Sequence, residues 1–206
     1  MVKVDIINLM TIRGDNLKFE KEITVKVISD YDTLNQKLLE NGFIIKEEYI
    51  VNDIYMINKN INLSKLDSLE ILKKCILVRD IVGIKKALVY KYKEYDKNGN
   101  ILKQGKVNCR IKDINEAIDF MKAINYKELI KINDKCIVYV NDRTELVIQL
   151  VNNNHIFIEM EDHPEYIDKK YISLEEMKDE LDSYNLPYDK NNYFVKKAEI
   201  ILNETL

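Results

Sequence analysis

Apolar and polar residues alternate with period two along Glu22-Ile23-Thr24-Val25-Lys26-Val27-Ile28, which predicts a strand with one polar face. From Asp30 to Asn41 the pattern changes. Leu34, Leu38 and Leu39 fall at helical spacing, and Gly42 sits where a helix cap is expected. Strand patterns then recur around 48–57, 74–82, 86–95 and 101–112, with Asn98-Gly99 as a hairpin turn between the last two. A second helix is predicted from about Asp113 to Asn125, with Ala117, Ile118 and Met121 on its apolar side. Further strands are expected around 128–140, 144–151 and 155–161, the last two separated by an Asn152-Asn153-Asn154 turn. Ser173-Leu174-Glu175-Glu176 has the form of a capping box opening a helix, and a last helix is predicted from about Asn192 to Leu202.

The pattern contains a weak internal repeat. A strand, a helix and a second strand follow one another twice, and an offset of 83 residues relates Asp30 to Asp113, Leu38 to Met121 and Phe43 to Tyr126. Two such halves followed by antiparallel hairpins predict an α+β fold. The expected architecture is an eight-stranded antiparallel sheet closed into a barrel or tunnel, with helices packed outside and a pseudo-twofold repeat.

The alternation also places charges together. Glu20, Glu22, Thr24 and Lys26 share a face, as do Lys91 and Lys93, then Lys106, Asn108 and Arg110, and finally Glu159 and Glu161. Arg79 shares its face with Leu77. Such faces usually meet water in an antiparallel sheet. The alternative is that they line an interior, where mixed Glu and Lys suit a metal-bound polyanion. Carboxylates hold a hard cation, and Lys and Arg neutralise phosphate.

Composition narrows the choice. The chain has 206 residues, 46% hydrophobic and 33% charged, with 2 Pro and 5 Gly and no linker-like stretch, so a single domain over 1–206 is expected. Its core covers about 20–200, and residues 1–18 form an N-terminal extension without further reading. A net charge of −3 argues against a nucleic-acid binder but leaves room for an anion-binding interior. Cys75, Cys109 and Cys136 have no metal-ligand spacing and read as buried free thiols in a reducing compartment. The N-terminus lacks a signal-peptide core, and no apolar run approaches bilayer length, so a cytoplasmic protein without a membrane partner is expected. His155 and His163 lack partners at zinc-ligand spacing, and no Gly-rich phosphate loop, nucleophile elbow or dinucleotide fingerprint is present.

Several motifs, in order, resemble the CYTH (triphosphate tunnel) family of class IV adenylate cyclases, thiamine triphosphatases and inorganic triphosphatases. Glu22-Ile23-Thr24-Val25-Lys26 is similar to the family's E-x-E-x-K strand, and Asp53-Ile54-Tyr55 to its D-x-Y motif. Cys75-Ile76-Leu77-Val78-Arg79 stands in place of L-R-I-R, and Leu88-Val89-Tyr90-Lys91 in place of L-T-Y-K. Ile148-Gln149-Leu150-Val151 followed by Phe157-Ile158-Glu159-Met160-Glu161 resembles L-D-x-V … F-V-E-I-E.

The resemblance implies that Glu22, Glu159 and Glu161 hold Mg2+ or Mn2+, and that Lys26, Arg79, Lys91 and Lys135 lie along the phosphates. It implies a small-molecule triphosphate or nucleotide as ligand, no nucleic-acid partner, and a monomer or homodimer. Thr24, Leu77, Asn108 and Gln149 depart from the pattern, replacing an acid, an arginine, an acid and an acid respectively. Losing acids removes ligands for a second cation, the one that would activate a nucleophile. Three functions stay open on this basis. They are a metal-dependent triphosphatase, a class IV adenylate cyclase releasing pyrophosphate, and a pseudoenzyme that binds a nucleotide or polyphosphate without turnover.

Overall fold

Each strand–helix–strand half begins with an aspartate that stops the strand and starts the helix. The computed structural model describes residues 21–95 and 101–206; the predicted N-terminal extension, Glu20 and the Asn98-Gly99 turn lie outside them. In the first half, β1 (Glu22–Lys26) leads to α1 (Tyr31–Glu40), where the Asp30 carboxylate accepts from the Thr33 N–H at 2.8 Å. In the second half, β5 (Ile101–Arg110) leads to α3 (Ile114–Ala123), and Asp113 accepts from the N–H groups of Asn115 and Glu116. Both helices end on a left-handed residue, Gly42 at φ 76° and Asn125 at φ 70°. These are the residue types that tolerate that conformation, and they too are 83 residues apart.

Long strands follow each helix: β2 (Ile44–Asn58) and β6 (Tyr126–Val140), of 15 residues each. After β2 a short 3-10 turn and α2 (Ser68–Lys73) precede β3 (Ile76–Ile81) and β4 (Lys85–Tyr95). After β6 a tight turn leads to β7 (Glu145–Val151) and β8 (His155–Glu161). The chain ends with α4 (Leu174–Ser183) and α5 (Lys197–Thr205). Two expectations shift here. Helix α2 was not visible in the pattern, and the last helix starts at Lys197 rather than near Asn192.

The eight strands form one sheet in the order β1-β8-β7-β6-β2-β3-β4-β5, and every ladder is antiparallel. Exchanging β1 with β5, β2 with β6, β3 with β7 and β4 with β8 reproduces the order reversed. The repeat is therefore an approximate twofold axis between β2 and β6. Val51 faces Asp134 across that ladder, and these two positions differ by the same 83 residues.

The ladder is not completed by pairing β1 with β5 among the described residues, so the closed barrel expected from sequence is not formed by strand hydrogen bonds. The reason is visible on β1. Its edge away from β8 is taken by the segment before α5. The Thr24 N–H donates to the Tyr193 carbonyl, and the Val195 N–H to the Thr24 carbonyl, both at 2.9 Å. The Asp189 N–H donates to the Lys26 carbonyl in the same way. With the Thr24 and Lys26 groups taken by that segment, this edge of β1 is covered against β5.

Three apolar clusters pack the sheet. Helices α1 and α4 cover one stretch of its outer face, with Leu34, Leu38, Met177 and Leu181 against Ile23, Val25, Ile148 and Ile158. Helix α3 covers another, with Met121 and Ile118 against Met56 and Val78. On the inner face, α2 and α5 pack Ile71, Ile201 and Leu202 over Tyr55, Leu77, Val89 and Phe157. This third cluster fills only part of the inner face. The remainder is a cavity.

Candidate functional site

The cavity encloses about 250 Å³ and takes side chains from all eight strands, from α2 and from the start of α5. One wall is acidic. Glu22 on β1 lies directly opposite Glu161 on β8, and Thr24 lies opposite Glu159. One carboxylate oxygen from each of Glu22, Glu159 and Glu161 falls within 4.8 Å of the other two. Like charges facing across a ladder repel, and oxygens this close are spaced so that they could hold a cation between them.

Two neutral neighbours steady the carboxylates. The Thr24 hydroxyl donates to Glu22 Oε1 at 3.3 Å, and the Gln149 amide donates to Glu159 Oε2 at 2.9 Å. Burial, then the charge of Glu22, push the Glu159 carboxyl above the ordinary value of 4.5, against the pull of Lys197 and Lys91. Gln149 is 3% exposed and its Oε1 has no hydrogen-bond partner.

The facing wall is basic. Lys91 on β4 lies directly opposite Lys106 on β5, and both line the cavity. Arg79 on β3 also lines it and holds Asp53 on β2 by two bonds, Nε to Oδ1 at 2.6 Å and Nη2 to Oδ2 at 2.5 Å. Burial alone would raise the Asp53 carboxyl, but the hydrogen bonds and charge of Arg79 outweigh it and hold it below its usual value. Burial likewise works against the Arg79 charge, and Asp53 more than restores it. Arg79 is thus presented to the cavity as a fixed, permanently charged fork.

A third pair links wall and helix. Lys197, at the start of α5, donates to Asp134 Oδ2 on β6; Asp134 is 2% exposed and its Oδ1 has no partner. Burial pulls the Lys197 ammonium down, but Asp134 and Glu159 raise it well above its ordinary value, so it stays charged.

The structure therefore brings together five of the residues expected from sequence: Glu22, Arg79, Lys91, Glu159 and Glu161. Lys26 is half-buried on the face shared by Glu22 and Thr24 but is not among the residues that line the cavity. Lys135 is a correction. It stands on the opposite face of β6, half exposed, paired with Glu48 at 2.8 Å. Its neighbours Asp134 and Cys136 point inward, and period two sends Lys135 out. Asn108 likewise does not line the cavity, whereas Thr24, Leu77 and Gln149 do.

The pattern missed Asp134, Lys106 and Lys197. Ile130, Ile132 and Cys136 alternate on the inner face and point to Asp134 as their companion, and Lys106 already belonged to a charged face. Nothing in the local sequence signals Lys197.

Cys75 and Cys136 are buried as expected, with the Cys75 thiol pushed up to about 12 by burial. Cys109 is exposed, contrary to expectation, because it lies on the outer face of β5. His155 pairs with Glu204 at 3.0 Å at the end of α5, His163 is exposed, and neither lines the cavity. No helix among the described residues is long and apolar enough to cross a membrane.

No family model matches the sequence, and no curated protein matches it. Solved structures do share its fold. The PH1012 protein of Pyrococcus horikoshii superposes with a TM-score of 0.60 at 17% identity, over 89% of this chain and 100% of its own. A candidate adenylate cyclase from Vibrio parahaemolyticus gives 0.58 at 10% identity, over 91% and 99%. The Hippeastrum protein HpAC1, a candidate adenylyl cyclase described as having a dominant triphosphatase activity, gives 0.57 at 12% identity, over 90% and 96%. At such identities the likeness establishes the fold alone.

Proposed function

We propose that the cavity binds a triphosphate with a divalent cation and hydrolyses it, acting on an inorganic or organic triphosphate. The observation that carries this reading is the pairing of three convergent carboxylates with a wall of fixed cations inside one small cavity. Arg79 and Lys197 are held by Asp53 and Asp134 within the cavity wall, so charge of both signs is kept in place around the cavity. A linear polyanion with its cation supplies both signs at once.

The residues present fit the cation. Glu22, Glu159 and Glu161 offer only hard oxygen donors, which select Mg2+ or Mn2+ over softer metals. When bound, the cation would neutralise phosphate oxygens and so favour departure of the leaving phosphate. Arg79, Lys91, Lys106 and Lys197 supply the rest of the electrostatic complement. Arg79 suits a phosphate with its planar fork, already oriented by Asp53, and the lysines act as point charges along the chain. Phosphoryl transfer asks little covalent chemistry of a protein, and positioning plus charge stabilisation is most of what is needed. The shared fold with proteins described as adenylate cyclases and with a triphosphatase supports the same reading.

One observation favours a second reading, binding without turnover. Thr24 and Gln149 contribute hydroxyl and amide to the cavity where the resemblance expects acids, and neither can act as a base. The same assay separates the possibilities. Phosphate release from inorganic triphosphate and ATP, with Mg2+ or Mn2+, is expected from the purified protein and should collapse in Glu159→Gln. Cyclic nucleotide formation would replace hydrolysis with cyclase chemistry. Tight binding without product, with turnover appearing in Thr24→Glu combined with Gln149→Asp, would establish the binding protein instead. Absence of both binding and turnover would sink the proposal.

A further inference from the structure

Hydrolysis needs a water aimed at phosphorus and a group that takes its proton. Most carboxylates around the cavity are committed elsewhere. Glu22, Glu159 and Glu161 converge as the cation site. Asp53 has one oxygen on Arg79 Nε and the other on Nη2. Asp134 differs from all of them. It lines the cavity, and Lys197 holds only its Oδ2. Its Oδ1 is buried and has no hydrogen-bond partner among the described residues, so it is free to accept.

Gln149 offers a second free acceptor beside it. Its amide nitrogen donates to Glu159 Oε2, which turns Oε1 away from that carboxylate, and this oxygen too is buried without a partner. Across the β6–β7 ladder Cys136 stands opposite Gln149, and Asp134 opposite Val151. Asp134 and Gln149 are therefore diagonal neighbours on the cavity face, about 7–8 Å apart at the backbone, an interval that long side chains reach across. Sheet order places them between the walls. Strands β6 and β7 lie between β8, with Glu159 and Glu161, and the cations of β3, β4 and β5. Phosphates that reach from the acidic wall to the basic one pass beside both residues. The Cys136 thiol next to them is no competing nucleophile, because burial, then the charge of Asp134, push its pKa up and keep it protonated.

Resting on the hydrolytic reading above, we infer that Asp134 is the general base of the reaction and that Gln149 holds the attacking water against it. Asp134 Oδ1 and Gln149 Oε1 each accept one hydrogen of that water, which leaves its lone pairs facing the terminal phosphorus. As the new P–O bond forms, one proton passes to Asp134 Oδ1. The bridging P–O bond breaks, and its electron pair goes to the departing diphosphate. Lys197 keeps the carboxylate oriented, the basic wall meets the charge on the leaving group, and the proton returns from Asp134 to solvent. An amide at position 149 then orients the nucleophile without having to activate it.

The test uses the full chain with inorganic triphosphate and Mn2+, taking kcat and KM from phosphate release and Kd from calorimetry. Asp134→Asn keeps the shape of the side chain but cannot take a proton. Its kcat should fall roughly 10²–10⁴-fold, while Kd for the triphosphate does not rise. Asp134→Ala leaves space at the same place, and added formate should restore turnover to it, a recovery that a structural role for Asp134 would not produce. Gln149→Leu should lower kcat roughly tenfold at an unchanged Kd. Thermal melts establish which variants are folded, and Gln149→Leu decides alone if both Asp134 variants unfold. If Asp134→Asn turns over within about tenfold of the wild type, or formate does not revive Asp134→Ala, or Gln149→Leu keeps its kcat, the base and its water are refuted while the triphosphate reading stands. A wild type that binds triphosphate without turnover removes the base and the hydrolase together. A wild type that does not bind it removes the reading of the cavity itself.

Discussion

Lys197→Met leaves the Asp134 carboxylate in the cavity wall without its partner. Asp134 is 2% exposed at the side chain and Lys197 20%, so water compensates little of the lost interaction. Its second oxygen already lacks a hydrogen bond. Stranding one member of a buried pair costs about 3–5 kcal/mol, and access through the cavity places this case near the lower figure. For a chain of this size that corresponds to a fall in Tm on the order of 10 °C. Adding Asp134→Leu to the same protein removes the stranded charge and fills its space with apolar atoms beside Val51 and Val151, its ladder partners. Most of the loss should then return, because replacing both partners of a buried pair is often close to neutral. Urea unfolding of the wild type, both single variants and the double variant gives the coupling directly, and a value above about 2 kcal/mol is expected. If Lys197→Met unfolds within about 1 kcal/mol of the wild type, or the double variant is no more stable than Lys197→Met, Asp134 and Lys197 do not form a buried, mutually stabilising pair.

Two further expectations use the same electrostatics. Lys135→Ala, which breaks only the exposed pair with Glu48, should change stability by less than about 0.5 kcal/mol and leave triphosphate turnover unaltered; a large loss of turnover would return Lys135 to the cavity. For Glu159 the sign follows from its raised pKa. The folded chain keeps a proton that the unfolded chain gives up, so the stability it contributes is full below 4.5 and is lost as pH rises through the folded value. Glu159→Gln should therefore raise the metal-free Tm near neutral pH, with the gain vanishing in acid, and should abolish stabilisation by Mn2+. A Tm gain that is independent of pH would contradict this.

Much of the fold was legible because local rules carry it. Asp30 and Asp113 cap their helices, Gly42 and Asn125 end them, and strands β1 and β8 alternate as clearly in the sequence as in the sheet. The 83-residue repeat foretold a twofold arrangement of strands. Helix α2 escaped notice because six residues are too few to show a period. The open ladder escaped notice because the segment that occupies the edge of β1 bonds through its backbone, which any side-chain sequence can do.

The carboxylates and cations divide along the same line. Alternation by itself determined that Glu22 and Thr24 share one face, and Glu159 and Glu161 another, because successive side chains of a strand must point to opposite sides. It could not say which side is concave. That choice is made by where α1, α3 and α4 bury their apolar stripes, since the helix-covered side becomes the outside and the charges are turned inward. The curl also brings β1 and β8 to face β4 and β5, so the acidic wall meets Lys91 and Lys106 although no ladder among the described residues joins them. Only tertiary packing could deliver Lys197 to Asp134, from 63 residues away in the chain, because no periodicity links a helix start to a strand it merely rests upon.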